Sequence, residues 1–267
     1  MTLELYQLDA FADAPFTGNP AAVVPLESWL ADDVMQAIAL ENNLSETAFI
    51  MPAGDAARWS LRWFTPAVEV PLCGHATFAA GACIMRHLKP ELDEISFDTQ
   101  SGELSVRRHG AGFVMDLPAG KPKAWSMPDA ARTALGVTIE DSAISTYPFV
   151  VLPDERAVRN LDVHKAVVAA RLAHACGELV VCAPGDGDVD VILRFFAPGA
   201  GVDEDPVTGS AITYIAPYWQ KQLGKSAMRF YQASPRGGHV GVKVRGGRVL
   251  LSGQARDYLH GVIALQI

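Results

Sequence analysis

Hydrophobic and polar positions alternate over Leu3–Phe11, and this period of two predicts a strand. Phe16-Thr17-Gly18-Asn19-Pro20 reads as a turn, and Ala21-Ala22-Val23-Val24 opens a second strand. The spacing of apolar residues over Ser28–Leu40 predicts a helix capped by Ser28 or Asp32. Glu46–Met51 and Arg58–Phe64 are expected as strands, the second closed by Pro66. Further helices are expected at Asp129–Leu135 and Asp162–His174, and the chain closes on an apolar strand, Gly261–Ile267. Pro118-Ala119-Gly120-Lys121-Pro122-Lys123 is the segment most like a linker. Antiparallel strands with one or two helices per half predict an α+β chain rather than a doubly wound parallel sheet.

The pattern occurs twice. Leu61-Arg62-Trp63-Phe64-Thr65-Pro66 returns 132 residues later as Leu193-Arg194-Phe195-Phe196-Ala197-Pro198, with six identities in the 22 positions from Ser45 to Pro66. In the same register Glu46 falls on Glu178 and Cys73 on Asp205. With small insertions, small-residue helices follow at Gly74–Ala82 and Thr208–Tyr214, and then alternating strands at Ile95–Ser101 and Met228–Ser234. Such self-similarity marks a duplicated unit. The expected domains are 1–118 and 119–258, with residues 259–267 free to return to the first. Duplicated halves are expected to meet at a cleft, which the 132-residue register would furnish with a thiol from one half and a carboxylate from the other.

Composition narrows the function. A net charge of −8 with no cluster of Lys or Arg argues against nucleic acid or an anionic membrane as partner. Cys73, Cys83, Cys176 and Cys182 show neither zinc spacing nor the density of a disulfide framework. Residues 1–13 lack a basic and apolar leader, and no apolar run reaches the ~20 residues of a membrane span. The expectation is a cytoplasmic, reduced protein, and the spacing of its cysteines offers no metal site.

Chemistry-bearing residues gather at four places. In Asn43-Leu44-Ser45-Glu46-Thr47, a carboxylate opens a strand after a helix, where it serves as a general base or a simple cap. In Leu72-Cys73-Gly74-His75-Ala76-Thr77, the glycine lets a ligand approach a helix start whose amides favour anions and thiolates. His75 lies within the first turn, placed to carry a proton. In Asp203-Glu204-Asp205-Pro206-Val207-Thr208-Gly209-Ser210, acids precede a second helix start with two hydroxyls. In Phe16-Thr17-Gly18-Asn19-Pro20, the residues read as a plain turn, the alternative being one that presents Asn19 to a site. Residues two apart, such as Cys73 and His75, are not expected to face each other, and no third group is evident to orient a Cys–His nucleophile.

Together these segments resemble the PhzF (phenazine biosynthesis-like) family of the diaminopimelate-epimerase-like fold. The resemblance rests on Asp9-Ala10-Phe11 with Phe16–Pro20, Asn43–Phe49, Arg62–Pro66, Cys73–Thr77 and Glu204–Ala211, in that order. It implies two similar domains, each a curved, mostly antiparallel, barrel-like sheet around a central helix, with the active site in the cleft between them. It implies a cofactor-independent isomerase or epimerase, commonly homodimeric, acting on a small carboxylate-bearing substrate. Glu46 corresponds to the catalytic glutamate, and Gly74, His75, Asp205 and Ser210 to the other site residues. Asn19, Thr208 and Gly209 are added as substrate contacts. Cys73 stands where related epimerases carry one of their two cysteines, and the second is expected at Asp205. The alternatives are a Cys73-dependent hydrolase or transferase and a non-catalytic binding protein.

Overall fold

The structure is a computed structural model that describes residues 1–265. It contains β1 (Thr2–Ala10), β2 (Asn19–Pro25), α1 (Asp32–Asn42), β3 (Glu46–Pro52), β4 (Arg58–Phe64), β5 (Glu69–Val70) and α2 (Gly74–Cys83). There follow β6 (Glu94–Thr99), β7 (Gly102–His109), β8 (Gly112–Pro118), β9 (Lys123–Ala124), α3 (Asp129–Leu135), β10 (Asp141–Ile144), β11 (Pro148–Val151), α4 (Glu155–Arg159) and α5 (Val163–Ala173). The rest comprises β12 (Leu179–Pro184), β13 (Val191–Ala197), β14 (Val202–Asp205), α6 (Gly209–Leu223), β15 (Ala227–Gln232), β16 (Gly238–Arg245), β17 (Arg248–Gly253) and β18 (Ala255–Ala264). No helix among the described residues is long and apolar enough to cross a membrane.

The chain divides into two compact units, Met1–Asp116 with the segment from Ser252 onward, and Leu117–Leu251. The division falls inside β8, not in the Pro118–Lys123 segment that reads as a linker. That segment is anchored within unit 2: the Gly120 amide donates to the Thr213 carbonyl, and Lys123 pairs with Ile144. The closing strand begins at Ala255, six residues before the expected Gly261, and pairs antiparallel with β1 along its length. Gln266 and Ile267, the end of that expected strand, lie outside the described residues.

In unit 1 the strands wrap α2. Every residue of that helix is buried, and it packs against β1, β2, β3, β7 and β18. Gly74-His75-Ala76-Thr77-Phe78-Ala79-Ala80-Gly81-Ala82-Cys83 is small or apolar on all sides, which suits a helix with no solvent face. At Gly81 a side chain would press into Val106, so the glycine sets how closely the sheet approaches. The amphipathic α1 covers another surface, burying Met35, Ile38 and Ala39 with Leu3, Val24, Phe49 and Phe64. Its N-cap is Ala31 without a side-chain cap, not Ser28 or Asp32; Asp32 and Asp33 sit in the first turn, where they favour the dipole.

Unit 2 repeats this topology. β2 runs parallel to β3, β3 antiparallel to β4, and β4 parallel to β6. β11 runs parallel to β12, β12 antiparallel to β13, and β13 parallel to β15. The mostly antiparallel sheet thus carries parallel pairs where helical crossovers join the strands.

The repeat changes register between the strands and the second helix of each half. Leu61 and Leu193 occupy matching places in β4 and β13, 132 residues apart, whereas α2 and α6 start at Gly74 and Gly209, 135 apart. The three extra residues fall at the 3₁₀ turn Pro198–Ala200. Two geometries support the new register. Arg62 forks onto Glu69 with both N–O distances 2.7 Å, and Arg194 onto Glu204 at 2.7 and 2.8 Å. Cys73 and Thr208 are the extended N-cap residues of the two helices, each carbonyl accepting from an amide four residues on at 3.2 Å. Pro71-Leu72-Cys73-Gly74-His75-Ala76 therefore matches Pro206-Val207-Thr208-Gly209-Ser210-Ala211. This corrects the expected pairing: Cys73 corresponds to Thr208, and Asp205 to Val70.

Candidate active site

The site in unit 1 is assembled by two chain reversals. After β1 the chain turns through Phe11, whose φ of 56° places a bulky buried residue in the left-handed region, stacked on Phe78 of α2 at 4.3 Å. Gly18 (φ 72°) completes the turn, because a side chain there would collide with the Ala10 carbonyl. Asn19 then enters β2 fully buried. Its Nδ2 stands 3.2 Å from His75 Nδ1, so the residue opens β2 against the helix start and is more than a plain surface turn. At the end of α1, Asn43 adopts φ 50° and its amide closes the helix on Ala39 O at 3.2 Å. Glu46 follows as the first residue of β3, opposite Ala21 of β2.

Cys73, His75 and Glu46 converge on one place. His75 Nδ1 lies 3.6 Å from Cys73 Sγ, and Nε2 lies 3.0 Å from Glu46 Oε2. The residues two apart do face each other, because Cys73 is extended at the N-cap while His75 is already helical. Glu46 is the third group that the sequence left unseen. The pairing of Nε2 with Oε2 joins the imidazole to the carboxylate at hydrogen-bonding distance. Ser45 Oγ donates to Asn19 Oδ1 at 3.4 Å, which helps to hold the amide against the ring.

Burial, and then the Glu46 carboxylate, push the Cys73 thiol up to about 11, against the opposing influence of His75 and the Ala76 amide. Burial works against charge on the His75 ring, but the negative charge of Cys73 and Glu46 raises it well above the usual histidine range. With the ring charged, Nδ1 donates and Asn19 must present its amide oxygen; with the ring neutral, Nδ1 accepts from Nδ2.

Asp205, Thr208, Gly209 and Ser210 lie together in unit 2. Thr208 Oγ1 donates to Asp205 Oδ2. Buried Gln232 organises this turn, accepting from the Thr208 amide at 2.8 Å and donating to Asp205 O at 2.7 Å. Ser210 lies beside the Tyr147 phenol, which burial pushes up against the influence of that hydroxyl. Gln232 and Tyr147 escaped sequence reasoning; Gln232 ends the strand after the second repeated helix, but nothing in its spacing shows what its amide holds. A surface hollow of about 490 Å³, lined by Arg132, Val137, Pro153, Asp154 and neighbours, contains none of these residues.

The chain matches the PhzC-PhzF family, described as phenazine biosynthesis-like protein, over residues 8–261. It is 45% identical to an "uncharacterized isomerase" of Pseudomonas aeruginosa, covering 99% of this chain and 100% of that one. A crystal structure of a phenazine biosynthesis protein of the PhzF family from Enterococcus faecalis superimposes with a TM-score of 0.92 at 38% identity, covering 99% of this chain and 100% of the other. A hydroxyproline epimerase from Agrobacterium vitis shares the fold at a TM-score of 0.63 and 12% identity, over 100% of this chain and 93% of that one. The match over nearly the whole chain, with relatives of this identity and coverage, shows that the chain belongs to the PhzC-PhzF, phenazine biosynthesis-like, family.

Proposed function

We propose that the protein is an isomerase that moves a proton at carbon on a small carboxylate-bearing substrate, with Glu46 as the acid–base group. The observation that carries this reading is the close pair of Glu46 Oε2 and His75 Nε2, 3.0 Å apart, with the His75 side chain only 6% exposed. A carboxylate and an imidazole held together with little access to water are placed to exchange a proton with a ligand. Glu46 takes a proton from the substrate carbon and returns it to another carbon or the opposite face. Charged His75 and the first-turn amides of α2 stabilise the oxyanion that forms in between. Asn19 sets the orientation of the ring.

The test is a screen of small carboxylic and amino acids in deuterium oxide, followed by NMR for exchange at carbon. The wild-type protein is expected to exchange at least one of them, and Glu46→Gln to lower that rate by about 10²–10⁴ while ligand affinity stays nearly unchanged. Full exchange by Glu46→Gln would sink the assignment.

A second reading, a Cys73 nucleophile with His75 as base, is favoured by the Cys73–His75–Glu46 alignment. It is opposed by the thiol itself, which is buried and pushed up to about 11. Iodoacetamide at pH 7 separates the two, with slow labelling of Cys73 that quickens about tenfold per pH unit expected for the isomerase. Rapid labelling at pH 7 would favour the nucleophile.

A further inference from the structure

Cys73, His75 and Glu46 present three different metal-ligating groups to one small volume: one ligand atom from each lies within 4.8 Å of the other two. We infer that this cluster is a binding site for a thiophilic divalent cation, zinc foremost, held by the Cys73 thiolate, one ring nitrogen of His75 and one carboxylate oxygen of Glu46, with a fourth position open to water.

Donor chemistry selects the ion. Sulfur, imidazole and carboxylate together suit zinc, while calcium and magnesium seek oxygen alone. Spacing agrees: Zn–S near 2.3 Å and Zn–N near 2.05 Å at a tetrahedral angle put sulfur and nitrogen about 3.6 Å apart. Cys73 Sγ and His75 Nδ1 are 3.6 Å apart. The frame is stiff, since two of the ligands sit in one helix start whose N-cap carbonyl is bonded by both the amide and the hydroxyl of Thr77. The third opens a strand paired in register with β2. Glu46 Oε2 stands 3.0 Å from His75 Nε2, so the carboxylate is already drawn up to the imidazole. Thiolate and carboxylate together offset the charge of the ion, and binding releases the thiol proton to solvent.

Bound there, the ion would occupy Glu46 and act as an inhibitor. This consequence rests on the isomerase reading, whereas the site itself does not.

The test titrates the full chain with Co²⁺, reading the sulfur-to-cobalt charge-transfer absorption, and then displaces the cobalt with Zn²⁺. One equivalent of Co²⁺ is expected to develop the band in wild type and in C176S, and one equivalent of Zn²⁺ to remove it. C73S should show no band, and E46Q should bind at least tenfold more weakly. Read separately, these variants leave either decisive if the other does not fold. C176S is the necessary control, because Cys176 Sγ lies 3.1 Å from His174 Nδ1. A wild type without the band, a band that survives in C73S, or one lost in C176S would overturn the site. A band with deuterium exchange undiminished by saturating Zn²⁺ would keep the site and refute Glu46 as the acid–base group.

Discussion

The helix starts of α2 and α6 share a frame and differ in chemistry. In both, a proline three positions before the first glycine leads into an extended N-cap, and a forked Arg–Glu pair ties the preceding strands together. In unit 1 the N-cap and second helical residue are Cys73 and His75, titratable and crowded by Glu46. In unit 2 they are Thr208 and Ser210, hydroxyls whose surroundings are arranged by the neutral amide of Gln232. The two halves share the backbone device and differ in the side chains it carries, titratable at Cys73 and His75 in unit 1, hydroxyl-bearing at Thr208 and Ser210 in unit 2.

The largest expected effect tests whether the shared frame is equally important in both halves. Arg194 and Glu204 have side chains only 6% and 7% exposed, whereas Arg62 and Glu69 are 20% and 24% exposed. Arg62 also reaches Asp32 at 2.9 Å. Glu204→Gln leaves a buried guanidinium without its counter-ion and should cost about 3–5 kcal/mol. Glu69→Gln should cost about 1 kcal/mol or less, since its arginine keeps a carboxylate and some water. Urea denaturation of both variants measures the difference; equal losses would refute the asymmetry.

Next in size is the clamp peculiar to unit 2. Gln232→Ala strips the buried Thr208 amide of its acceptor and should cost about 1–3 kcal/mol. Hydrogen exchange should then quicken at Thr208 while the amide of Thr77, bonded to Cys73 O, keeps its protection. Unchanged protection at Thr208 would show that the turn holds itself.

Much of this was legible in the sequence. The strands Glu46–Pro52 and Arg58–Phe64, the helix Asp129–Leu135 and the repeat itself follow from periodicity and from motif order, which rest on local physics. Cys73, His75 and Glu46 were visible as candidates one by one. Their convergence was not, because it depends on how β3 lies beside α2 rather than on spacing. The 132-residue register misled at Asp205 because a three-residue insertion hides within a short turn of Pro, Gly and Ala, and only the Arg–Glu pairs and the helix caps reveal it. Asn19 looked like an ordinary turn residue because its burial comes from tertiary packing against the helix. Short elements such as β9, β10, β11 and α4 carry too few residues to show a period.

The smallest expected effect concerns the carboxylates that the repeat aligns. Glu46 faces a histidine, whereas its counterpart Glu178 meets no cation among the described residues, and burial raises its carboxyl above the usual range against the opposing influence of Cys176. A raised carboxyl pKa means that between the unfolded and folded values the native state holds a proton that the unfolded chain has lost, so stability falls as pH rises through that window. Glu178→Gln removes the titration. The variant should match wild type near pH 4, where both states of Glu178 are protonated, and should be the more stable of the two at pH 8. Urea midpoints at the two pH values check the sign. A variant less stable at pH 8 would mean that ionised Glu178 is held by a partner, and that unit 2 retains a charge-handling pair of its own.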